Sequence, residues 1–160
     1  MNIKIFSLSI FAAIMMTLFT YDCQAQDPII RSQFMIQDAR FNDMDITEQW
    51  VKDEAYLAWY DFASGDAPYF AVVKPNTNSQ SYGKMFEMDS NIEAETATKY
   101  RTETYKFKWS YINDYDDKKG TSTVQIIITN KNVGRAFVCT IIPENLDVIT
   151  FRGYVKGSLK

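Results

Sequence analysis

The chain has 160 residues, 46% of them hydrophobic, which suits one globular domain and argues against disorder and against a large multidomain enzyme. Seventeen basic residues stand against 20 acidic ones, a formal charge of −3, so no electropositive field recommends a nucleic acid or an anionic membrane surface as partner. With no histidine, every Ser-His-Asp or Cys-His arrangement and every imidazole metal site is excluded.

In chain order, the first predicted element is a targeting segment. Lys4 precedes a 15-residue apolar run, Ile5 to Phe19, too short for a comfortable membrane span, and the polar flank that follows offers small side chains at Cys23 and Ala25. A signal peptide over 1–25, cleaved after Ala25, is expected, leaving residues 26–160 as one exported domain, periplasmic or extracellular, with no transmembrane span. Lipidation at Cys23 is not expected, because Asp22 occupies the position where a small residue precedes a lipidated cysteine. Cys139 is then the only remaining cysteine, so the domain stands on its core without an internal disulfide.

From Asp27 onward, Pro, Gly, Asn and Asp recur every eight to fifteen residues between β-branched and aromatic runs, the punctuation of a sheet. The predicted strands are Ile29–Ile36, Ala55–Phe62, Tyr69–Lys74, Tyr82–Met88, Thr98–Ile112, Thr121–Thr129, Arg135–Ile142 and Leu146–Val155. Asp45 to Ala55 opens with the spacing of a capping box and reads either as a short helix or as the approach to a strand. In Tyr105 to Tyr111 four aromatics alternate with Lys106, Lys108 and Ser110, and Val124, Ile126 and Ile128 share one face of the next run. The fold class is therefore all-β: one antiparallel meander of about eight strands, closed as a barrel or packed as a sandwich, with the stretch near 45–55 open to one short helix.

Few constellations carry chemistry. No Gly-x-Ser-x-Gly elbow and no phosphate-cradling glycine loop occurs. Asp114, Asp116 and Asp117 resemble a cation loop only in part, since Lys118 and Lys119 fall where further oxygen ligands belong, and turn-forming aspartates account for them. Cys139 alternates with Phe137 and Ile141 and reads as an inert buried thiol.

An exported, disulfide-free, aromatic-rich meander with Trp50 and Trp59 near its start and the closing run Asp147 to Tyr154 resembles the lipocalin-like, calycin-type barrels of bacterial envelope proteins. The resemblance implies that Arg152 and Tyr154 on the last strand face the cavity and hold a ligand carboxylate, as an Arg-x-Tyr pair does in the related fatty-acid-binding proteins. In a filled sandwich the same face is simply solvent. The expected function is a non-enzymatic binding protein, without cofactor or metal, that takes a small apolar or amphipathic ligand against Trp59, Tyr105, Phe107 and Trp109. Two alternatives stand beside it. One is a structural or protein-interaction module of the cell envelope with a filled core. The other is a carboxylate-dependent enzyme, which needs two acidic side chains facing one cavity.

Overall fold

The computed structural model describes residues 29–61, 65, 67–94, 100–131 and 134–157. The expected targeting segment over 1–25 lies outside them. Among the described residues the strands are β1 (Ile29–Phe41), β2 (Met44–Asp45), β3 (Tyr56–Asp61), β4 (Tyr69–Lys74), β5 (Ser79–Ala94), β6 (Arg101–Asn113), β7 (Lys119–Lys131), β8 (Gly134–Pro143) and β9 (Ile149–Lys156). One short helix, α1 (Thr47–Lys52), follows β2, and a 3-10 turn covers Pro75–Thr77. Every neighbouring pair is antiparallel, and β1 pairs with both β3 and β9, so eight strands close on themselves as a barrel, with β2 an extra ribbon on the end of β1. Closure settles the choice between barrel and sandwich: β1 pairs with β9 over Gln33–Phe41, and its other edge pairs with β3 as far as Met35 and with β2 at Arg40 and Phe41.

The interior follows the alternation read from the sequence. Phe107 and Trp109 on β6, Val124, Ile126 and Ile128 on β7, and Phe137, Cys139 and Ile141 on β8 all point inward and are buried. Phe34, Leu57, Phe70, Met85 and Phe151 complete the core. Its rings meet edge-on, Phe34 on Phe137 at 5.2 Å, Phe70 on Phe107 at 5.5 Å and Phe70 on Trp109 at 5.2 Å, the arrangement that aromatic quadrupoles favour. Burial pushes the Cys139 thiol far above its usual range, as suits an inert core sulfur.

β7 and β8 run one or two residues past their predicted ends, but β1 and β5 outrun theirs by more, where bulges break the two-residue period. In β1 the register shifts between Ile36 and Asp38, so Ile36 and Ala39, three apart, both face inward. In β5 the shift lies between Phe86 and Asp89, with Glu87 at φ 50°. The predicted helix over 45–55 is shorter: Asp45 Oδ1 accepts the Thr47 amide at 2.9 Å, and the chain leaves the helix at Asp53 for β3. Glycine is required where strands crowd. A Cβ at Gly83 would fall on the Ser110 carbonyl oxygen, and one at Gly153 on that of Met35.

Antiparallel alternation sends α1, the Pro75–Thr77 turn, the β6–β7 hairpin and the β8–β9 hairpin to one end of the barrel. A cleft of ligand size, lined mainly by strand ends and aromatic rings, opens there.

Candidate functional site

The cleft opens at this end, the mouth, with a volume of about 330 Å³. Its floor and walls come from strand ends: Trp109 and Tyr111 from β6, Ser122 from β7, Ile141 from β8, and Ile149 and Phe151 from β9. Helix α1 adds Trp50, whose ring lies 4.7 Å from that of Phe151. The helix is fastened at its start, where Thr47 Oγ1 accepts the Ala39 amide at 3.0 Å. Trp109 is fixed by its indole N–H, which donates to the Phe70 carbonyl at 2.9 Å, and its ring lies 4.5 Å from Tyr111. An aromatic wall held by a buried hydrogen bond is a preformed surface, with little side-chain freedom left to lose on binding.

Polar side chains also line the cleft: Lys74, Ser79, Gln80, Ser81, Asn113 and Ser122. Ser81 donates to Asn113 Oδ1 at 2.7 Å and is satisfied. Ser122 is not: the residue is 2% exposed, and Oγ finds no partner among the described residues, as is also true of Ser32 Oγ, Trp59 Nε1 and Arg135 Nε outside the cleft. A buried hydroxyl without a partner costs free energy unless something in the cleft pairs with it. Lys74 is the one cation in the wall; its Nζ lies 4.0 Å above the Trp50 ring and 3.5 Å from Asp53 Oδ2.

Of the six residues predicted to bind ligand, the structure brings only Trp109 to the wall of this cleft. Trp59, Tyr105 and Phe107 point inward deeper in the barrel and pack on one another, Trp59 at 5.2 Å from Tyr105 and 6.3 Å from Phe107. Arg152 and Tyr154 do not face the interior. Phe151 takes the inward position on β9, which turns its neighbours out: the Arg152 side chain is 53% exposed with Nη1 3.6 Å from Asp38, and Tyr154 is 46% exposed.

Sequence reasoning missed two residues. Ser122 stands two before Val124, and Glu103 two before Tyr105, so each extends an alternation already recognised, but neither is apolar. Glu103 is 7% exposed at the opposite end of the barrel. Its carboxylate accepts the Tyr105 hydroxyl at 2.9 Å and the Asn130 amide at 3.0 Å, and faces Arg101 at 3.3 Å and Arg135 at 4.0 Å. Burial and then this hydrogen bond push the Tyr105 phenol above its usual value.

Two aspartates of the β6–β7 hairpin are engaged, Asp114 with β5 and Asp116 within the turn. Asp114 Oδ1 accepts the Gln80 amide at 2.8 Å, and Asp116 Oδ1 accepts the Lys118 amide at 3.1 Å and the Asn113 side chain at 3.1 Å. Among the described residues no group of three acidic or cysteine side chains is placed to hold a metal ion, and no helix is long and apolar enough to cross a membrane.

No protein-family model matches the chain, and no curated protein or solved structure is significantly similar to it.

Proposed function

We propose that this chain is an exported, lipocalin-like, non-enzymatic protein that binds a small apolar or amphipathic ligand at the mouth of its barrel. The observation that carries the reading is the mouth cleft, with a wall of tryptophan and tyrosine over one unpartnered buried hydroxyl, Ser122. At about 330 Å³ it falls at the small end of the ~300–1,000 Å³ typical of ligand pockets. Export is supported by Lys4, the apolar run Ile5 to Phe19 and the small residues before the Ala25 cut. The second reading, an envelope interaction module, draws on the packed rings of Trp59, Tyr105 and Phe107, which fill the depth of the barrel.

Native mass spectrometry of the protein purified from its own host, followed by organic extraction, tests both readings. A stoichiometric adduct that is lost in Ser122→Leu, which fills the cleft, supports the binding protein. A clean mass, with no uptake of an environment-sensitive apolar dye, favours the interaction module. The intact mass also reports whether residues 1–25 have been removed.

A further inference from the structure

The mouth has a charge asymmetry that its aromatic wall does not explain. The segments around it hold ten carboxylates: five within 43–54, three within 114–117 and two within 144–147. Against them stand Lys52, Lys74 and Lys118, with Arg40 and Lys119 at the adjoining strand ends, five cations in all. The mouth is therefore formally −5 in a chain of −3, and the remainder nets +2.

Several of these carboxylates are held by neutral donors, which fix them in place without cancelling their charge. Asp147 takes the side-chain amides of Asn42 at 2.9 Å and Asn145 at 2.7 Å, while Asp45 and Asp114 take backbone amides. The Thr47 side chain and amide hold Asp45 below the usual carboxylate range. Burial would raise Asp116, but the Lys118 amide, the Asn113 side chain and the Lys118 ammonium outweigh it and hold that group low as well. Lys74 is engaged by Asp53 and by the Trp50 ring. None of these carboxylates lines the cleft itself, so their field acts on it from the surrounding segments, and Lys74, the one charged side chain among its described lining residues, already has partners. A cation is drawn in by the same field.

We propose, building on the small-ligand reading above, that the cleft selects amphiphilic cations. An amine or quaternary ammonium head would rest at the acidic rim, and the apolar body would enter beside Trp109 and Tyr111 with a polar atom toward the Ser122 hydroxyl. An unpartnered buried hydroxyl beside an aromatic wall is what marks the cleft as a ligand site; the carboxylates of the surrounding segments set the sign of the ligand's charge.

Three probes with one fluorescent body test this: diphenylhexatriene, its trimethylammonium derivative and its propionate derivative, titrated into the mature protein. The trimethylammonium form is expected to bind at least about ten-fold more tightly than the propionate at low salt, a preference that shrinks toward unity at about 0.5 M salt as the rim is screened. The triple variant Glu48→Gln, Asp117→Asn, Glu144→Gln removes three rim charges outside the cleft wall and is expected to cut that preference several-fold, while binding of the neutral probe stays unchanged. Equal binding of all three probes, tighter binding of the propionate, or a preference untouched by the triple variant overturns the charge selection and leaves the small-ligand reading standing. Failure of all three probes to bind overturns the small-ligand reading itself, and the charge selection with it.

Discussion

The mouth and the base of the barrel are built from the same eight strands but finished with different chemistry. At the mouth, Trp109, Tyr111 and Trp50 leave a cleft with one unsatisfied hydroxyl. Toward the base, Trp59 packs on Tyr105, and Glu103 gathers Tyr105, Asn130, Arg101 and Arg135 around its carboxylate. Both ends keep polar atoms without partners among the described residues, Ser122 Oγ at the mouth and Trp59 Nε1 and Arg135 Nε toward the base. The base also holds a buried carboxylate, which must be paired to be tolerated, whereas a buried neutral hydroxyl costs far less. Stability is therefore expected to concentrate below the cleft and binding within it.

The strongest challenge to that contrast is Phe107→Ala. It removes a ring that touches both Trp59 and Phe70 and should cost about 3–5 kcal/mol, read as a lower urea midpoint at constant slope. A value near zero would mean that the depth of the barrel is loosely packed. Next is Glu103→Ala, which strands Arg135 and the Tyr105 hydroxyl and should cost about 3 kcal/mol. Coupling to Arg135→Met in a double-mutant cycle would show that the cost is the broken cluster, not general strain. Gly83→Ala puts a methyl group on the Ser110 carbonyl and should cost about 1–3 kcal/mol, confirming that β5 and β6 crowd there.

Ser122→Ala sharpens the comparison from the other side. Since a buried Oγ without a partner is itself destabilising, the ligand-free protein should gain about 1 kcal/mol of stability while ligand retention in native mass spectra falls. The smallest effect is pH dependence at the rim. Asp45 and Asp116 titrate below the unfolded carboxylate value, so their contribution is present above that value and is lost as pH falls below about 4. Denaturation midpoints should therefore decline on the acid side of that pH, and less so in Asp45→Asn.

Much of the architecture was legible because a half-buried strand writes its orientation into every second residue. Tyr105 to Tyr111 and Val124 to Ile128 announce their inward faces directly. The signal fails at Ile36 and Phe86, where a bulge adds a residue and the period slips, so β1 and β5 read shorter than they are. It fails differently at Glu103 and Ser122, whose polarity hides an inward position until the neighbouring strands are in place.

The sequence by itself determined an all-β meander, its turns, its buried thiol and most of its core, because these depend on local periodicity and turn chemistry. Only the tertiary structure decided that β1 meets β9 to close a barrel, since that pairing joins residues more than a hundred positions apart. Closure then assigned every side chain to lumen or solvent, turning Arg152 and Tyr154 outward and leaving Trp109 beside an open cleft. Alternation says that two sets of residues face opposite ways; which set is enclosed depends on how the strands come together.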